Sequence, residues 1–183
     1  MKVLLSIGGA SGSIYGIRLL EELKKAGVQI HLIISDGAKK IIEHETNYKF
    51  SNLKKKADFY YENNDMFAGP ASGSFKLDAM IVCPCSMKTL SAISNGYGDT
   101  LTTRAAVCTL KEERKLILTI RETPFDLPGI ENIRKAKLAG ATILPAMPGF
   151  YHKPKKIEDL VDFIVGKILD QLDINHSLFK RWK

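Results

Sequence analysis

The chain has 183 residues, 45% of them hydrophobic and 26% charged, and carries a formal charge of +7. That length is enough for one full core, so residues 1–183 are read as a single domain. No run of 18 apolar residues offers a membrane span, and the short apolar start "MKVLLSIGGASG" leads into a glycine loop, unlike a secretory signal. The basic balance favours anionic partners. The basic residues fall in scattered clusters on presumed helix faces, most simply a solvated surface, without the aromatic interleaving of a single-strand binder; neither nucleic acid nor a membrane is expected as a partner.

In chain order, "KVLLSIG" (2–8) reads as a buried strand, because a continuous apolar run is closed by glycines. "SIYGIRLLEELKKAG" (13–27) follows as a helix, with apolar residues near helical spacing and Gly27 as the stop. "VQIHLIIS" (28–35) is a second strand and "DGAKKIIEHET" (36–46) a second helix, capped by Ser35 or Asp36. Residues 47–76 are irregular and read as a short helix or strand plus a long loop. A strand over 79–84 comes next, then helices over 86–94 and 100–113, a strand over 115–121, a helix over 127–140, a strand over 141–148 and an amphipathic helix over 157–172. Solid apolar strands alternating with helices predict an α/β fold with a parallel sheet covered on both faces. Ligands of such sheets bind at the carboxyl ends of the strands, so the residues after each strand carry the functional argument.

After the first strand, "GGASGS" (8–13) allows either a glycine-rich turn or an anion loop in which Gly9, Ala10 and Ser11 let backbone N–H groups approach a phosphate. After the second stands Ser35, an N-cap or a hydroxyl for a cofactor. After the third comes "CPCSMKT" (83–89). Its C-x-C spacing fits neither a zinc nor a thioredoxin motif, and with Cys108 the chain holds only three cysteines, so they read as small buried residues of a reduced, cytoplasmic protein. Pro84 is expected to end the strand. Ser86 then opens a helix with Lys88 and Thr89 near its positive end, an anion cradle unless Lys88 is merely solvated. After the fourth strand, "RETP" (121–124) offers a structural ion pair, or Arg121 for phosphate and Glu122 for handling a proton. After the fifth, "PAMPGFYHKP" (145–154) presents Tyr151 as a packed aromatic or a phosphate donor; His152 lacks an acid partner and is not read as a base.

Taken together, "GASG", "CPCSMKTL", "LTTRAA", "LKEER", "RETP" and "FYHKP" resemble the UbiX-like flavin prenyltransferases, over essentially the whole chain. The resemblance implies a flavodoxin-like Rossmann three-layer α/β/α fold and a homododecamer with flavin sites at subunit interfaces. It implies transfer of a dimethylallyl group from dimethylallyl phosphate to N5 and C6 of reduced FMN, without a metal. The product, prenylated FMN, would serve a UbiD-like decarboxylase. Carried over by motif, FMN contacts fall on Gly9, Ala10, Ser11, Ser35, Ser86, Met87, Lys88, Thr89, Arg104, Arg121 and Trp182. Prenyl-phosphate contacts fall on Tyr151 and Lys167, and the catalytic set on Ser11, Glu45, Lys111 and Glu122. Two positions depart from the pattern. Lys167 stands where arginine is usual, keeping the charge but losing a two-pronged phosphate grip, and Val107 replaces an aspartate. The rival readings are a flavin-dependent cysteine decarboxylase and a non-catalytic flavin-carrying subunit. The first would need an early-helix histidine and a "PxMNxxM"-like clamp; the chain offers only His44 nearby and no such clamp.

Overall fold

The computed structural model describes residues 1–182. Six parallel strands form one sheet in the order β3-β2-β1-β4-β5-β6: β1 (Lys2–Ile7), β2 (Gln29–Ile34), β3 (Phe59–Glu62), β4 (Ala79–Cys85), β5 (Lys115–Ile120) and β6 (Thr142–Ile143). The helices are α1 (Ser13–Lys25), α2 (Asp36–Glu45), α3 (Phe50–Lys54), α4 (Met87–Ser94), α5 (Leu101–Lys111), α6 (Leu127–Leu138) and α7 (Ile157–Gln171). This is the flavodoxin-like three-layer arrangement the sequence predicts.

Alternation along each strand divides the core in two. Val3, Leu5 and Ile7 of β1, Ile30, Leu32 and Ile34 of β2, and Ile117 of β5 pack with Ile17, Leu20 and Leu23 of α1 and Ile164, Ile168 and Leu169 of α7. Leu4, Ile33, Met80, Val82, Leu116 and Leu118 point the other way, onto Leu90 and Ile93 of α4, Ala105 and Ala106 of α5, and Ala136 of α6. Both sheet faces are therefore dry, which is why the strands read as solid apolar runs. Contacts between α1 and β4 are close: a Cβ on Gly16 would stand 2.3 Å from the Cys83 carbonyl oxygen.

Three expectations are corrected. Pro84 does not end β4; the strand runs on, and Cys85 pairs with Ile120 across a register shift between Val82 and Cys85. Proline removes only a donor, and its carbonyl still accepts the Gly8 N–H at 3.1 Å. The shift also reverses the alternation, so Cys83 faces the α1 side and Cys85 the α4 side. Secondly, β6 covers only Thr142–Ile143, not 141–148, because the prolines at 145 and 148 break the ladder. Thirdly, the irregular stretch 47–76 holds both a short helix, α3, and the edge strand β3, with a 3₁₀ turn at Gly69–Ala71. The half-exposed pattern of β3, "FYYE", gave that strand no apolar signature.

The order of the strands reverses between β1 and β4: β2 and β3 lie to one side of that pair, β5 and β6 to the other. Loops leaving the carboxyl ends of β1 and β4 therefore run to opposite faces and leave a crevice between them, where α/β sheets bind ligands.

Candidate active site

A cavity of about 810 Å³ occupies that crevice, within the usual size of a cofactor pocket. Its walls come from four loop–helix junctions: Gly9 before α1, Ser35 before α2, Ser86 with Lys88 and Thr89 at α4, and Thr100 before α5. Three of those junctions carry a hydroxyl N-cap. Ser35 Oγ accepts the Ala38 N–H at 3.2 Å, Ser86 Oγ the Thr89 N–H at 3.3 Å, and Thr100 Oγ1 the Thr103 N–H at 3.3 Å. Each helix start still leaves first-turn N–H groups without intrahelical partners and adds the positive end of its dipole. Several such ends facing one cavity favour an anion there. Lys88 adds a full charge at the wall, while Asp36 and Asp99 bring negative charge to the same rim.

The close approach at the floor depends on glycine. A Cβ on Gly8 would lie 2.4 Å from the Pro84 carbonyl oxygen. Gly12, the residue before α1, has φ +91°, a conformation that side chains rarely adopt. It provides no capping side chain. Glu45, from the end of α2, supplies the missing acceptor: its Oε2 takes the N–H of Gly12 at 2.9 Å, and the N–H and hydroxyl of Ser13, both at 3.1 Å. Partial burial pushes the Glu45 carboxyl up, but the Ser11 hydroxyl and the Gly12 and Ser13 donors outweigh it and hold the group below its ordinary range.

A second recess, of about 380 Å³, lies between the loop after β6 and the C-terminal tail, lined by Tyr151, His152, Lys153, Lys180, Arg181 and Trp182. Trp182 meets Tyr151 edge-on, with ring centroids 5.3 Å apart. His152 stacks on Phe163 with ring centroids 5.2 Å apart, and neither of its buried ring nitrogens has a hydrogen-bond partner. The Ala146 N–H bonds the Ile120 carbonyl at 2.9 Å, which sets this loop beside the "RETP" segment. There the Arg121 N–H continues the β5 ladder to Cys85 O at 3.2 Å, and its side chain lies 3.9 Å from Glu122 Oε1. Arg121 Nε is buried without a partner, an orphan donor awaiting an acceptor.

Of the residues singled out in the sequence, Gly9, Ser35, Ser86, Lys88 and Thr89 line the larger cavity. Ala10 is buried in the loop behind Gly9, and Met87 packs among the α4-side core residues. Ser11 stands exposed beside Glu45. Tyr151 and Trp182 share the second recess, and Lys167 lies on α7 with Nζ 3.5 Å from Asp170 Oδ2. Arg104 and Lys111 line neither space, and the same holds for Ser11, Glu45, Arg121, Glu122 and Lys167. Arg104 Nε donates to the Ala71 carbonyl at 3.0 Å, and Lys111 Nζ sits 3.6 Å from Glu112 at the far end of α5, roughly 16 Å along the axis from the end that meets the cavity. Cys83 and Cys85 are fully buried thiols, and desolvation pushes each up to about 12, so neither offers a thiolate to a metal or a disulfide partner.

Asn63 was not singled out. Its Oδ1 accepts the Thr102 hydroxyl at 2.7 Å and the Thr102 N–H at 3.1 Å, and it lines the cavity wall. Because that hydroxyl donates to Asn63, the buried Ser6 hydroxyl must donate to Thr102, 2.8 Å away. The chain of bonds ties the loop after β3 to α5 and the sheet centre. Tyr97 also lines the wall, from the "SNGYGDT" turn between α4 and α5. The glycines and asparagine of that turn were the available signal; Asn63 had none.

A family described as Flavoprotein matches residues 1–169. A Flavin prenyltransferase UbiX of Methanocaldococcus jannaschii is 52% identical over 182 residues, covering 100% of this chain and 98% of the relative. AnUbiX (PadA1), solved in complex with FMN and dimethylallyl pyrophosphate, superposes with TM-score 0.98 at 43% identity, covering 100% of this chain and 97% of the other. A dodecameric FMN-dependent UbiX-like decarboxylase from Escherichia coli O157:H7 gives TM-score 0.98 at 41% identity, with 100% of both chains covered.

Proposed function

The chain belongs to the UbiX flavin prenyltransferase family of flavoproteins, and we propose from that premise how its residues carry a dimethylallyl group from its phosphate to reduced FMN. The observation that carries the reading is the cavity at the β1/β4 reversal, ringed by helix starts and Lys88 and large enough for a flavin mononucleotide. FMN fits the residues present: the capped starts of α2 and α4 suit its phosphate, and the Gly8–Gly9 floor lets a ring lie against backbone. The orphan Arg121 Nε provides a buried donor for a carbonyl or phosphate oxygen beside it. Gly9, Ala10, Ser11, Ser35, Ser86, Met87, Lys88, Thr89 and Arg121 would form the flavin's contacts.

When bound, reduced FMN supplies the nucleophilic N5 and C6 that accept the dimethylallyl carbons. Breaking the allylic C–O bond leaves positive charge on the allyl group and negative charge on the departing phosphate. Tyr151 and Lys167 bind that phosphate, and Arg104 and Lys111 add cationic charge. Preorganised donors of this kind contribute on the order of 3 kcal/mol each. Trp182, edge-on to Tyr151, shields the allyl cation with its ring face and excludes water. Glu122, beside Arg121, passes the proton that the leaving phosphate gains or that C6 loses. The place of Lys111 at the far end of α5 supports a site shared between subunits, as a homododecamer like the E. coli relative would provide. The product would serve a UbiD-like decarboxylase, in the cytoplasm; among the described residues no helix is long and apolar enough to cross a membrane.

The test is anaerobic incubation with reduced FMN and dimethylallyl monophosphate. A flavin heavier by one prenyl group, with release of inorganic phosphate, is expected. FMN bound but unchanged in mass would leave the two rivals, a flavin-dependent decarboxylase and a flavin-carrying subunit.

A further inference from the structure

The C-terminal tail folds back over α7 and is held there by one carboxylate. Asp170, in the last turn of α7, takes Arg181 through both oxygens: Nη2 donates to Oδ1 at 2.7 Å and Nη1 to Oδ2 at 3.2 Å. His176 Nε2 lies 3.1 Å from the same Oδ1. The Nδ1 of that ring accepts the Leu178 N–H at 3.2 Å, which assigns the proton of the neutral imidazole to Nε2, facing Asp170. The His176 side chain is only 3% exposed. Arg181 draws the Asp170 carboxyl below its ordinary range against the upward push of burial, with His176 adding to the effect.

The surface under the tail is shaped to receive it. A Cβ on Gly166 of α7 would stand 2.6 Å from His176 Cε1 and 2.5 Å from Phe179 Cε1, so the tail lies directly on helix backbone. Phe179 continues onto Phe163 at 4.9 Å, and Trp182 reaches Tyr151. Among the described residues no helix or strand follows Leu178, and Trp182 is itself 76% exposed. Among the described residues, the Asp170–Arg181 fork is the strongest polar tie on this end of the tail.

We propose that Asp170 is a positioning residue for prenyl transfer, clamping the tail through Arg181 and His176 so that Trp182 closes the recess of Tyr151. The inference rests on reading that recess as the dimethylallyl phosphate site. Asp170 touches neither reactant in this role. A tail already in place spares the substrate the cost of ordering it. Asp170 also stands 3.5 Å from Lys167 and partly neutralises the ammonium that would meet the phosphate. Removing the carboxylate thus has two effects of opposite sign on substrate affinity. The forked pair at 2.7 Å and 3.2 Å outweighs the looser contact at 3.5 Å, so loss of the clamp decides the outcome.

Trp182 is the chain's one tryptophan, so its emission reports the tail directly. Asp170→Asn breaks the clamp from the helix, and Arg181→Gln breaks it from the tail while leaving α7 intact. Both are expected to lower the anisotropy of Trp182 emission, because the indole, already 76% exposed, gains motion rather than solvent when the tail is released. Both should raise KM for dimethylallyl monophosphate about threefold, as fits an ion pair on an exposed arginine, while FMN affinity stays at the wild-type value. Asp170→Glu should recover part of the loss. Unchanged emission anisotropy in Arg181→Gln, or a lower KM in Asp170→Asn, would overturn the proposal, the latter assigning Asp170 to restraining Lys167 instead. Wild-type protein without prenyl transfer would remove the reading of the recess, and the emission anisotropy of the two variants would still decide the clamp.

Discussion

Replacing Glu45 separates its structural work from any part in the chemistry. Its Oε2 receives three donors from Gly12 and Ser13, at a helix start that has no side-chain cap of its own. A hydrogen bond to a charged acceptor is worth about 1.5–3 kcal/mol, but these three share one oxygen and the residue is exposed, so screening reduces the sum. Glu45→Ala should therefore cost about 2 kcal/mol, and Glu45→Gln, which keeps a neutral oxygen in place, about 1 kcal/mol. For a chain of this length 2 kcal/mol lowers the melting temperature by about 6 °C. The folded state holds the Glu45 carboxyl below its ordinary value. Its stabilisation is thus fully present above the ordinary carboxylate range and is lost as pH falls through the folded-state value. Thermal melts of wild type and Glu45→Ala at pH 7, compared with melts near pH 3, measure this. The gap should be widest at pH 7 and should shrink in acid. A gap of equal size at both pH values, or none at pH 7, would refute the assignment of Glu45 as the surrogate cap of α1.

Other changes probe the site and its scaffold. Gly16→Ala puts a Cβ 2.3 Å from the Cys83 carbonyl, a backbone atom that cannot give way, so unfolding in urea should show a loss of about 3 kcal/mol. Ser86→Ala removes the cap that receives the Thr89 N–H; a loss of about 1 kcal/mol in the same assay, together with weaker FMN binding in a fluorescence titration, is expected. Glu122→Gln should bind FMN as well as wild type does and slow product formation in single-turnover assays; unchanged turnover would remove Glu122 from the proton path.

Much of the fold was legible because its signals are local. Strands such as "KVLLSI" and "KLILTI" bury both faces, so their apolar runs are continuous, and the hydroxyls of Ser35 and Ser86 mark helix starts by the donors they satisfy. Gly9, Ser35 and Ser86 were legible for a related reason: each comes just after a strand, β1, β2 or β4. What failed was whatever depended on neighbours in space. Pro84 reads as a stop, yet Ile120 and Gly8 supply partners that carry β4 past it. The edge strand β3 shows no apolar run because one side of it faces solvent.

The sequence by itself determined the parallel α/β layering, the glycine loop, the capped helix starts and the buried cysteines, since each follows from periodicity, side-chain size or a hydrogen bond a few residues long. Only the tertiary structure decided that β1 and β4 stand side by side, and so that Gly9, Ser35, Ser86 and Thr100 share one cavity. It alone placed Asn63 in the cavity wall, Glu45 over the start of α1 and Arg181 on Asp170. Those pairings span 11 to 39 residues. Contacts at such separations are set by how sheet and helices pack, and no local pattern in the chain encodes them.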